Sequence, residues 1–209
     1  MKKILTVASG LLLSLSISTS VFATEDVFHN YAPQEVTIND QLYIDNIPVL
    51  SEKDIKKLDN IQKENSGKEK TTKDDVTVQG WNSWTQTGSS YYYTGHDWHR
   101  MNFYGTVPTS VVLETSSFTN ASITGSAEYN FATVAQASMS ITIGKEWGKK
   151  VTYTVVPQKY YSYELKSANK VLQRNYEYTH DGLFSNPIYY ASSHDSAGVE
   201  QWFWGNPNT

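Results

Sequence analysis

The longest regular alternation of apolar and polar positions in the chain runs from Ser126 to Leu165. Ala135, Ala137, Met139, Ile141 and Ile143 fall on one face. Gln136, Ser138, Ser140 and Thr142 fall on the other. The alternation resumes after Gly144 with Val151, Tyr153 and Val155 against Thr152 and Thr154, and its odd phase extends to Tyr129, Phe131, Tyr161, Tyr163 and Leu165. A period of two with one polar face predicts strands covered on one side. The reading is a long hairpin turning at 144–149. Ile143 lies opposite Val151, so all large apolar side chains share a face.

Further strands are predicted near Thr85–Thr94, Met101–Tyr104, Thr109–Phe118, Tyr160–Lys166, Val171–Thr179, Pro187–Ala191 and Glu200–Trp204. Turn signals separate them, among them Gly95, Asn169, Asp181-Gly182 and Gly198. The fold class expected is all-β: an antiparallel β-sandwich or a curved, barrel-like sheet with a long central hairpin.

The N-terminal third reads differently. Met1-Lys2-Lys3, an apolar stretch from Ile4 to Val21 and the small-x-small site Val21-Phe22-Ala23 form a secretory signal peptide of bacterial type, cut after Ala23. An extracellular location is expected. The region 24–75 reads as an acidic arm and charged linker, a candidate pro-region. Thr24 to Leu50 carries five acidic residues and no basic one, with β-like pieces at Glu35–Ile38 and Gln41–Ile44. From Ser51 to Asp75 there are seven basic and seven acidic residues. Ser51 with Asp54 resembles a helix N-cap ahead of a helix at about Glu52–Glu64. The β-domain spans 76–209.

Without Lys2 and Lys3, 15 basic residues face 21 acidic ones, a net charge of −6 that argues against nucleic acid. The absence of cysteine removes disulfides and thiol lipidation.

All six Trp lie beyond residue 80. In a two-layer sheet, runs such as Tyr91-Tyr92-Tyr93 cannot all point inward, so some aromatics are exposed. Trp84, Trp98, Trp147, Trp202 and Trp204 are the binding candidates. The expected role is non-enzymatic binding of a cell-surface glycan or other envelope component. Trp147 is placed at the hairpin tip.

The Ser/Thr face opposite an apolar face resembles the membrane-inserting stem of aerolysin-type pore-forming toxins. The resemblance covers this segment alone and implies a lipid-facing set of Met139, Ile141, Ile143, Val151 and Tyr153. Length opposes it. The arm Lys150–Val156 extends about 23 Å, or about 16 Å tilted, short of the roughly 25 Å apolar band of a spanning barrel. These lengths favour a soluble hairpin over a membrane-active, toxin-like or bacteriocin-like one.

His96-Asp97-Trp98-His99, His180 and His194 offer weak metal-ligand spacing, and neither metal nor cofactor is expected. Glu128 and Glu164 fall on one face of the predicted hairpin. They are the one pair that suits a glycoside hydrolase, but surface carboxylates explain them as well. No enzyme is expected.

Overall fold

A computed structural model describes residues 26–69, 84–120, 122–125, 129–139, 144, 146–179 and 187–208. The expected signal peptide, residues 1–23, and His180 lie outside the described residues. Most of the described chain is strand, in antiparallel and mixed sheets that do not close into a barrel.

Three long strands form the frame: β6 (Trp84–Phe103), β10 (Tyr161–Thr179) and β11 (Pro187–Pro207). β10 lies between the other two, antiparallel to both. Each unites two of the shorter strands predicted from sequence. Gly95, Asn169 and Gly198 do not end strands; they form irregularities within them. The register slips on both sides of Asn169, while Gly95 and Gly198 take φ of 59° and 103°. A bulge inserts a residue and bends a strand without breaking the sheet. Asn169 pairs with Val199 and Thr94, so the three punctuation marks line up across the sheet.

The free edge of β11 carries three short strands: β5 (Lys68–Glu69), β8 (Ser122–Gly125) and β1 (Val27–His29). β8 pairs antiparallel with β11, Ser122 opposite His194 and Ile123 opposite Ser193.

A second small sheet contains β2 (Glu35–Ile38), β3 (Gln41–Ile44) and β4 (Ile47–Pro48). Its two turns, Asn39-Asp40 and Asp45-Asn46, have every φ between 48° and 67°. Asn and Asp tolerate this region, and paired left-handed residues suit tight hairpins. The sheet covers the main one through Ile44, which is fully buried against Tyr93, Ala168 and Trp202. The acidic N-terminal segment is therefore packed onto the sheet. The helix expected after it is present as α1 (Glu52–Asn65). Ser51 Oγ accepts from the Asp54 N–H at 3.2 Å, and the Asp54 carboxylate accepts from the Ser51 N–H at 3.1 Å. This reciprocal cap satisfies donors that a helix start leaves open. α1 buries no residue and touches β11 by its last turn, where Ser66 Oγ accepts from Tyr190 N at 3.1 Å.

The third sheet pairs β7 (Val111–Asn120) with β9 (Glu146–Val155). Leu113, Val151 and Val155 pack against Leu165 and Tyr163 of β10. Burial of leucines such as Leu113 and Leu165 contributes about 2–3 kcal/mol each. The expected pairing of Ile143 with Val151 is corrected here: Val151 pairs with Thr115, and the strand predicted over Ser126–Ile143 is helical from Phe131 to Met139 (α2).

Candidate functional site

The chain leaves β7 at Asn120 and returns to its antiparallel partner β9 at Glu146. Two paired neighbours are thus separated by 25 residues that a tight turn could replace. This excursion contains β8 and α2. It is the site where sequence pattern and local structure disagree.

α2 has nine residues, too short to be stable alone in water, and includes the β-branched Thr133 and Val134. Packing holds it. Phe131 and Ala135, one turn apart, are both 1% exposed and rest on Tyr176 and Ala191. Trp84 lies against Phe131 at 4.7 Å between ring centroids and donates from Nε1 to the Tyr129 carbonyl at 3.1 Å. Immediately before the helix, Tyr129 and Asn130 take φ of 54° and 57°. A bulky side chain in the left-handed region costs about 1 kcal/mol or more. Tyr129 is held there by stacking on Tyr178 at 4.4 Å.

Below the excursion, the β11 segment Ala191–His194 is buried at every residue. His194 accepts or donates at both ring nitrogens, 3.1 Å from Tyr92 Oη and 3.2 Å from Ser192 Oγ. Burial pushes its imidazole down to about 4. Desolvation also raises the Tyr92 phenol well above its ordinary value, with a further push from Asp59. The base of the excursion, at Asn120, Ser122, Ile123 and Glu146, borders an open cleft of about 1100 Å³ whose far wall is α1.

A second polar cluster fixes the N-terminal segment. The Glu200 carboxylate accepts from Lys170 Nζ at 2.5 Å, Tyr93 Oη at 2.8 Å and His29 Nε2 at 3.1 Å. Burial acts to raise this carboxyl, but the donors outweigh it and hold it below the usual range. Asp26 pairs with Lys149 of β9 at 2.8 Å, and Phe28 stacks on Tyr153.

The residues singled out from sequence fall in different environments. Trp202 is fully buried beside Tyr93 and His29, and Trp84 is half-buried under α2. Trp147 is half-buried in β9 opposite Thr119, which corrects its placement at a hairpin tip. Its buried Nε1 finds no acceptor among the described residues. Trp98 is 51% exposed and Trp204 is half-buried on the same face. Val151 is buried and Tyr153 half-buried against the main sheet; Met139 ends α2; Ile141, Ile143 and Glu128 lie outside the described residues. His99 is engaged with the Glu114 backbone at 3.1 Å, while burial and then Lys166 lower the His96 imidazole. Among the described residues no three acidic, His or Cys side chains converge.

Sequence reasoning missed that β7 is the partner of β9. The signal in the sequence was partial: Val111, Leu113 and Ile123 hold the odd phase, but Thr115, Ser117 and Thr119 between them are polar. No known protein family matches the chain, and no curated protein matches it.

Proposed function

We propose that the chain is a membrane-active protein whose 121–145 excursion refolds by extending the β7–β9 hairpin. The observation that carries this reading is the register. Partner numbers in β7–β9 sum to 266 at every pair, from Val111 with Val155 to Asn120 with Glu146. Continued without a slip, the pairing sets Ile123 opposite Ile143, Gly125 opposite Ile141, Ala127 opposite Met139, Tyr129 opposite Ala137 and Phe131 opposite Ala135. The turn falls at Thr133. The other face pairs Thr124 with Thr142, Ser126 with Ser140, Glu128 with Ser138 and Asn130 with Gln136. From Ile123 to Ile143 the odd face carries no charge and the even face is polar up to the tip, where Ala132 and Val134 flank the turn; Lys145, opposite Ala121, marks the base of the extension.

This register removes the objection from length. The new arms are residues 121–132 and 134–145, about 41 Å extended and about 29 Å at a 45° tilt. An apolar band of about 25 Å is spanned. The lysines at 149 and 150 lie in β9 rather than at the tip, and Pro157 lies beyond the hairpin base. In the observed state three of the odd positions are buried, Phe131 and Ala135 by packing on the main sheet and Val151 against β10. The two-layer part formed by β7–β9 on the main sheet serves as the platform from which the hairpin grows.

Dye release from liposomes tests the reading. Met139→Lys places a charge at mid-depth on the lipid face, where it costs about 2–4 kcal/mol, whereas Ser138→Lys places it on the polar face. The expected outcome is release abolished by the first substitution and retained by the second, with thermal melts of the two variants within a few degrees of each other. Equal loss from both would sink the assigned faces.

A further inference from the structure

We propose that the sheet face carrying Trp98 and Trp204 is a binding site for a neutral pyranose sugar. The site is independent of the hairpin refolding and supplies what that process lacks, a means of choosing a surface.

In the antiparallel register Lys166 lies directly opposite Trp98, and Glu164 lies opposite both Arg100 and Trp204. All five side chains therefore project from one face. The Trp98 ring is half exposed, yet it does not swing freely: its Nε1 donates to Glu164 Oε2 at 3.0 Å. The Lys166 ammonium lies 5.4 Å from the Trp98 ring centre and 5.7 Å from that of Trp204, and it is pinned by an ion pair to Glu35 of β2. Lys166 is itself 7% exposed. An exposed aromatic plane held from two sides has already lost the rotamer freedom that binding would otherwise remove.

The charges decide the class of ligand. Lys166 and Arg100 are matched by Glu35 and Glu164, with Arg100 Nε 3.8 Å from Glu164 Oε1. The face is balanced, so neither an anion nor a cation is favoured. A quaternary ammonium headgroup would meet the Lys166 ammonium, which lies near both indoles and repels a second cation, whereas an uncharged ring meets no such repulsion on the exposed part of Trp98. A sugar ring has an apolar C–H face that stacks on indole and a rim of hydroxyls. Arg100, Glu164 and Asn102 supply planar donors and acceptors for that rim, with Asn102 Oδ1 already 3.1 Å from Arg100 Nε.

The test uses the full chain against immobilised oligosaccharides ending in glucose, galactose, mannose or N-acetylglucosamine, beside phosphatidylcholine vesicles. Retention on at least one neutral sugar is expected. Trp98→Ala should weaken it by about tenfold or more, and Trp98→Phe, which keeps an aromatic plane, by less. Arg100→Ala should weaken it without disturbing the indoles. A thermal melt separates lost binding from lost folding, and Trp98→Phe reports on the ring if the Ala variant fails to fold. Retention on no sugar, equal retention by wild type and Trp98→Phe/Arg100→Ala, or capture by phosphatidylcholine alone would overturn the assignment.

Discussion

His194 shows how much a single residue can reveal about the surface above it. It lies under β8, hydrogen-bonded to Tyr92 and Ser192, and faces Gln173 of β10 and Ser122 of β8 across the sheet. Burial disfavours its charged form and lowers its pKa from 6.5 to about 4. The unfolded chain then binds more protons than the folded one between those values. The stability that neutral His194 provides is complete above about pH 6.5 and is lost as pH falls toward 4, by up to about 3 kcal/mol. Urea midpoints at pH 7, 5.5 and 4.5 should fall for the wild type more steeply than for His194→Gln. Parallel curves would show that His194 does not carry the acid response. Its place in the sequence, between the strands predicted at Pro187–Ala191 and Glu200–Trp204, gave no hint of this burial, because that reading depends on whether β11 continues through Gly198. The aromatics were equally ambiguous. Nothing local distinguishes Trp202, fully buried, from Trp98, half exposed; a third layer, the β2–β3–β4 sheet, covers one and not the other.

At the scale of elements, local chemistry was legible wherever it was self-contained. The Ser51–Asp54 cap, α1 and the short strands β2 and β3 appear where the sequence predicts them. Removing the cap by Ser51→Ala should cost about 1 kcal/mol. α1 touches β11 mainly by its last turn, so far-ultraviolet helicity should fall while the main melt moves little; an unchanged helical signal would contradict the role of the cap. Elements fixed by distant partners were misread. Gly95, Asn169 and Gly198 carry turn chemistry, but three adjacent strands share the irregularity and continue through it. The period-two pattern of Ser126–Ile143 is real, yet Phe131–Met139 is helical because Tyr176 and Ala191 offer that face a buried surface. A sequence whose local preference opposes its observed structure is frustrated there, and such sites are where function is sought.

For the molecule as a whole, the composition correctly indicated an all-β chain with a charged N-terminal region, and the cysteine count removed disulfides. Composition did not show that the N-terminal segment packs on the main sheet, through Ile44 on Trp202 and the Glu200 cluster, and reaches β9 through the Asp26–Lys149 pair. The proposed membrane action also carries a demand beyond one chain. A single hairpin offers two strands, open edges are not tolerated in lipid, and the smallest spanning barrels have about eight strands, so about four or more copies must combine. Each copy must first release β8 from β11.

That release can be blocked covalently, and the chain has no native cysteine to interfere. Ile123 of β8 and Ser193 of β11 are register partners. In the double variant Ile123→Cys with Ser193→Cys, a disulfide would hold the excursion in its observed place. Liposome dye release should be absent from the oxidised protein and return on reduction. Release that the cross-link leaves unchanged, or that neither the reduced variant nor the wild type produces, would contradict a hairpin grown from residues 121–145.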